Sequence, residues 1–182
     1  MVRRLLVTGL AALMTAGALA STAAAQDATG QGPRIIPGQR IASYSLGQDV
    51  SSILSSLGPV RSQDDLPETA LTGYYWPLKR IGIIADNSSG KVVGLVVSLD
   101  DGYTTDKGVG AGTEMDAVRT AYGGEDILDN HDEDETLVYN TLGVAFVVDK
   151  NGALNSRVSV IFVFSPGHYR DIFKEQRQNP AP

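Results

Sequence analysis

The densest concentration of ligating groups in this chain is Glu125, Asp126, Asp129, Asn130, His131, Asp132, Glu133, Asp134 and Glu135. Carboxylate oxygens at such density suit Ca²⁺, and an imidazole among carboxylates suits a transition metal. Asp129, His131, Asp132 and Asp134 are therefore the candidate metal ligands. The run lacks the fixed ligand spacing and the internal glycine of a calcium loop, so a solvated acidic loop is the favoured reading. Asp149-Lys150-Asn151-Gly152 opens as a calcium loop does, but its glycine comes too early and the closing Glu is missing. It reads as a hairpin turn. Gly108-Val109-Gly110-Ala111-Gly112 precedes a helical pattern, as a phosphate cradle would. It lacks the following Gly-Lys-Ser/Thr, and no parallel strand-helix-strand unit surrounds it.

Nucleophilic chemistry has few carriers. The chain has no cysteine, no Gly-x-Ser-x-Gly elbow, and two histidines, His131 and His168. Ser165 and His168 flank Pro166-Gly167, where a base beside a serine is conceivable and a Pro-Gly loop explains the residues equally well. Asp and Glu are plentiful enough for carboxylate-only hydrolysis, but no spacing singles out a pair. The expectation is a protein that is not an enzyme and carries no cofactor. The remaining candidates are aromatic. Tyr74, Tyr75 and Trp76 form the one aromatic run, and alternation along a strand puts Tyr74 and Trp76 on a shared face. Those two could anchor a partner, although packing on the sheet is the simpler role.

The elements that must position these groups recur along the chain. Leu46 to Gly58 lies loosely over Ala111 to Gly123. In the first copy Val50, Ile53, Leu54 and Leu57 have the spacing of one helix face, Ser45 with Gln48 resembles a capping box, and Gly58-Pro59 stops the helix. In the second, Met115, Val118 and Tyr122 take that face. Strands are predicted over 70–76, 80–85 and 91–99, then over 135–140, 142–148 and 156–164. Val93, Leu95, Val97 and Leu99 alternate as Val158, Val160, Phe162 and Phe164 do, Ile81 and Ile83 lie over Val144 and Phe146, and Tyr75 over Tyr139. The predicted fold class is α+β, with two tandem repeats of a helix and a three-stranded antiparallel sheet in one compact unit.

Leu46-Gly47, Val50 and Leu57-Gly58-Pro59, followed by strands containing Tyr75-Trp76, resemble the small outer-membrane-assembly family (SmpA/BamE). A tandem of such modules resembles the β-lactamase inhibitor protein fold. The resemblance covers roughly residues 41–167 and implies a helix before a three-stranded antiparallel sheet in each module. The assembly proteins carry a lipid on a cysteine and the inhibitor proteins rely on disulfides; this chain has no cysteine for either.

Arg3 and Arg4, the apolar run Leu5 to Ala20 and the small residues Ala23-Ala24-Ala25 read as a secretory signal peptide over 1–25. Export to the periplasm or the extracellular space follows. No membrane span or lipid anchor is expected. The expected order is then a flexible lead-in at 26–39, a first repeat at 40–101, a second at 102–167 and a tail at 168–182. The full chain carries a net charge of −6, and loss of 1–25 removes two arginines and no acid. Nucleic acid, whose phosphates require Lys/Arg clusters, is not an expected partner. The leading expectation is an exported protein-interaction module with an envelope or extracellular partner. The alternatives are a metal- or small-ligand-binding protein using the 125–135 loop and, behind it, a hydrolase.

Overall fold

The computed structural model describes residues 34–60, 62–66, 69–98, 102–150 and 156–173. The signal segment 1–25 lies outside the described residues, as do the start of the lead-in, most of the turn begun by Asp149 and the tail beyond 173.

Apolar residues at every second position make strands that bury one face, and the i, i+3, i+4 spacing makes helices that bury one stripe. The described chain runs β1 (Arg34–Ile36), β2 (Arg40–Ile41), β3 (Tyr44–Ser45), α1 (Val50–Leu57), β4 (Ser62–Asp65), β5 (Leu71–Trp76), β6 (Ile81–Asp86) and β7 (Val92–Ser98). It continues through β8 (Thr104–Thr105), α2 (Met115–Tyr122), β9 (Ile127–Asn130), β10 (Asp134–Tyr139), β11 (Val144–Asp149), β12 (Arg157–Phe164) and α3 (Tyr169–Ile172). Eight strands form one antiparallel sheet in the order β4-β5-β6-β7-β12-β11-β10-β9. Four short strands form a second sheet in the order β3-β2-β1-β8.

The front of the large sheet holds the main core. Ile53 and Leu57 of α1 and Val118 of α2 pack with Ile83, Leu95, Phe146 and Ile161, joined by Ile35 and Ile41 from the small sheet. The back carries a smaller cluster built from Leu71, Ile84, Val138, Ala145 and Phe164, closed by Tyr169 and Ile172.

This architecture corrects the expected fold class. The protein is predominantly β, and among the described residues no separate unit of one helix and a three-stranded sheet occurs. Each half supplies four strands to a continuous sheet, because β4 and β9 add outer strands that the sequence pattern did not reveal. The likeness to tandem assembly-family modules, and through it to the inhibitor-protein fold, falls with the same observation. Arg34–Ile36, assigned by composition to a flexible lead-in, is a strand with Ile35 fully buried. Residues 169–172, assigned to the tail, are α3. The Ser45–Gln48 contact is present, with the Ser45 N–H donating to Gln48 Oε1 at 3.1 Å, but α1 begins later and Asp49 stands at its N-cap.

Strand register also departs from the sequence alignment. β7 and β12 meet at the middle of the sheet, with Val97 opposite Ile161, Val96 opposite Phe162 and Leu95 opposite Val163. Ile81 pairs with Val97 and Ile83 with Leu95, while Val144 pairs with Val163 and Phe146 with Ile161. The counterparts of Leu95 and Val97 are therefore Ile161 and Val163, not Val160 and Phe162. Matching irregularities at Ile84/Ala85 and Val147/Val148 break the alternation within β7 and within β12, and the correspondence between the two strands is displaced by one residue from that of the sequence pattern on both sides of them. One residue is enough to turn a side chain to the opposite face. Val93 and Phe162 accordingly pack on the back, while Leu95 and Ile161 pack on the front.

Candidate functional site

A half-open groove of ≈ 460 Å³ lies on the back of the large sheet, between the bend before β5 and helix α3. Ligand pockets commonly fall between about 300 and 1,000 Å³. Leu71, Val93 and Ile172 give the groove its apolar side; Asp86, His168 and Asp171 supply the charged and titratable groups; Thr69, Ala70 and Ser165 complete the wall.

The α3 wall is built by a turn. Proline fixes its own φ, and Gly167 adopts φ +86°, a left-handed conformation open to glycine. The His168 N–H donates to Ser165 O at 3.0 Å, so Ser165-Pro166-Gly167-His168 is a tight turn of the type II pattern. It reverses the chain at the end of β12 and lays α3 back over the sheet. Across the first turn of α3, His168 Nδ1 lies 2.7 Å from Asp171 Oδ2. Tyr169 and Ile172 stand three residues apart and share a face, as a helix requires. They pack with Val138 and Phe164, and the Phe173 ring sits 4.6 Å from that of Phe162. Arg170 lies over the Tyr169 ring, 5.6 Å from its centroid, and forks onto Asp129 of β9, Nη2 to Oδ1 at 2.7 Å and Nη1 to Oδ2 at 3.2 Å. Burial raises the Tyr169 phenol well above its ordinary range, and the Asp129 carboxylate adds to the effect.

The opposite wall ends at Asp86, where β6 turns toward β7. Its Oδ1 accepts the Ser88 and Ser89 N–H groups at 3.1 and 2.8 Å and their hydroxyls at 2.6 and 2.8 Å. The serine hydroxyls, led by that of Ser88, lower the Asp86 carboxyl to about 2, so it is ionised throughout the physiological range. Among the described residues, no Lys or Arg lines the groove. Lys91 is committed to Asp49 at 2.8 Å, and Arg170 to Asp129.

No family model matches this sequence, and no curated protein matches it. Among solved structures, it is similar to the uncharacterized protein yfeY from Escherichia coli, with 16% identity, a TM-score of 0.44, and coverage of 74% of this chain and 96% of that one. It is also similar to a cysteine-rich secretory protein (SAV1118) from Staphylococcus aureus, with 11% identity, a TM-score of 0.43, and coverage of 74% of this chain and 49% of that one. Likeness at this level transfers no activity to the chain.

The sequence candidates are dispersed. Asp129 is held by Arg170. His131 and Asp132 are exposed in the hairpin between β9 and β10, and Asp134 opens β10 opposite Asp149. The acidic stretch is therefore strand, turn and strand rather than a loop. No group of three or more His, Cys, Asp or Glu able to hold a metal occurs among the described residues. Neighbouring acids are engaged structurally: Glu125 in a fork with Arg119, which lowers its carboxyl, and Asp126 with the Thr141 N–H and hydroxyl.

Trp76 is 4% exposed, so the Tyr74/Trp76 pair does not form a surface anchor. Its Nε1 donates to Gly58 O at 3.1 Å, at the end of α1, and Tyr74 packs against the same front core. The Tyr139 hydroxyl makes the matching bond to Gly123 O at 3.0 Å, at the end of α2. Trp76, not Tyr75, is thus the counterpart of Tyr139. In the glycine-rich run, a Cβ on Gly110 would stand 2.6 Å from Tyr103 O, so close packing explains that residue.

Ser165 and His168 do line the groove. Asp86, Leu71, Val93, Asp171 and Ile172 were not singled out by sequence reasoning. Asp86 with serines two and three places on is a legible Asx-turn signature. The others meet only through the fold.

Proposed function

We propose that this chain is an exported, non-enzymatic interaction protein that takes a segment of a partner into the groove between α3 and the β6–β7 turn. The groove itself carries the reading: half-buried Val93, backed by the buried Leu71 and Ile172, gives an apolar side next to polar groups that can fix an occupant's orientation. Export rests on the signal-like sequence of residues 1–25. A photo-reactive amino acid at exposed Ala70, introduced in the native host, should give a discrete cross-linked adduct. The same group at Ser51, exposed on α1, should not. No adduct from Ala70, or equal adducts from both positions, would overturn the reading.

One observation supports a second reading, hydrolysis by Ser165. His168 is oriented by Asp171 and lines the same groove as Ser165. Among the described residues, however, no hydrogen bond joins the Ser165 hydroxyl to His168, the contact that would activate a serine. Labelling of the wild type but not of Ser165→Ala by a fluorophosphonate would favour this reading over simple docking.

A further inference from the structure

The groove is acidic on one side and apolar on the other, and this combination restricts what it can hold. Asp86 uses Oδ1 for the serine turn, while Oδ2 accepts no hydrogen bond from any described residue. Asp171 likewise uses Oδ2 for His168 and leaves Oδ1 without a described donor. Both carboxylates line the groove, and the neighbouring described cations, Lys91 and Arg170, are engaged with Asp49 and Asp129. A neutral or acidic occupant would leave these oxygens to water or repel them. An ammonium or guanidinium would satisfy them while its aliphatic stem, or a flanking residue, lay along Leu71, Val93 and Ile172.

Resting on the proposed docking role, we propose that the occupant is a partner segment in which Lys or Arg stands beside aliphatic residues. The chain's net charge of −6 favours approach by the same class of partner.

The test uses the mature protein and three labelled peptides, Leu-Lys-Leu-Lys-Leu, Leu-Ser-Leu-Ser-Leu and Leu-Glu-Leu-Glu-Leu, followed by fluorescence anisotropy. The lysine peptide should bind about tenfold more tightly than the serine peptide, and the glutamate peptide most weakly. Asp171→Asn should weaken the lysine peptide about threefold and leave the serine peptide unchanged. Asp171 is exposed, so this variant tests the charge without disturbing a core; Asp86→Asn, whose turn contacts matter to folding, is the second variant. Added salt should erase most of the preference. Equal binding of the lysine and serine peptides, binding of none, or an unchanged lysine affinity in Asp171→Asn overturns the inference. The Ala70 cross-link separates this inference from the reading beneath it. An adduct mapped to an acidic or uncharged segment ends the cationic class while groove docking stands. No adduct ends both. An adduct at a Lys/Arg-aliphatic segment supports both.

Discussion

Four residues cannot hold a helix by themselves, since isolated helices shorter than about 12–15 residues are marginal in water. α3 must therefore be held by its contacts, and the groove with it, because Asp171 and Ile172 belong to α3. Tyr169 and Ile172 supply apolar burial at 5% and 6% exposure, and the fork from Arg170 to Asp129 supplies the polar tie. An exposed ion pair contributes about 0–1 kcal/mol. This pair should exceed that: Asp129 is only 13% exposed in its side chain, and both of its oxygens are bonded in parallel. Hydrogen bonds to charged groups contribute about 1.5–3 kcal/mol, and the 41% exposure of Arg170 places the net coupling near 1–2 kcal/mol.

A double-mutant cycle with Asp129→Asn and Arg170→Gln, followed by urea denaturation, measures that coupling. Hydrogen exchange at residues 169–173 shows where the loss falls. The expected result is a coupling of about 1–2 kcal/mol, with α3 amides deprotected in both single variants before the sheet is. Asp129→Asn should also move the Tyr169 phenol back toward its ordinary range, short of reaching it, because burial is the larger cause. Coupling below about 0.3 kcal/mol, the scatter of independent sites, would refute the assignment of the fork as the tie. So would unchanged α3 exchange.

Further outcomes follow from other residues. Gly143→Ala places a Cβ 2.2 Å from Phe164 O and 2.7 Å from Gly38 Cα at φ +74°, so it should cost at least about 3 kcal/mol in chemical denaturation. Tyr139→Phe removes the bond to Gly123 O, whose residue is exposed and can turn to water, and should cost about 1 kcal/mol; Trp76→Phe removes the equivalent bond and also volume, and should cost more by the same assay. The Asp86 carboxyl should titrate near about 2 by carboxyl NMR. Its folded value is depressed, so its contribution to stability is present above the ordinary carboxylate range and is lost as pH falls through about 2; an ordinary value would refute the Ser88/Ser89 turn. Ala42→Gly, at a residue held at φ 51°, should raise stability by about 0.5–1 kcal/mol in thermal unfolding.

The long strands and both principal helices were legible because period and burial agree over six to eight residues. Ile53, Leu57 and Val118 are buried as their spacing requires. The short outer strands were not legible: Ser62–Asp65 is polar and mostly exposed, and Ile127–Asn130 ends in the polar pair Asp129-Asn130, so neither carries an alternating apolar signal. The register of β7 and β12 was misread for a different reason. Both strands are apolar on consecutive positions, Val92-Val93 and Val160-Ile161-Phe162-Val163-Phe164, because both faces of the sheet are covered there. Two-sided burial removes the alternation that fixes register, and a bulge is then invisible. At the groove, local chemistry was readable at Ser165 and His168. The meeting of Leu71 and Val93 with Ile172 depends on contacts remote in sequence.

The break in symmetry gives the groove its position. Helices α1 and α2 cover the front of the large sheet in corresponding ways, each ending at a glycine whose carbonyl is capped by an aromatic side chain from β5 or β10. The back is covered differently. α3 packs over Val138, Phe164 and Phe162 in the second half, and no described helix lies over Ile84 and Val96 in the first. The first half instead flattens its back face, with Tyr75 lying against Gly82 and Ile84 against Gly94. The groove opens where the covered half meets the flattened one, with Leu71 and Val93 from one side and Ser165, His168 and Ile172 from the other. A site at such a boundary can change its occupant by substitutions in α3 alone, because neither helix of the front core touches it. The segment after Pro166 is therefore the part of the chain whose alteration should redirect binding while leaving the eight-stranded sheet intact.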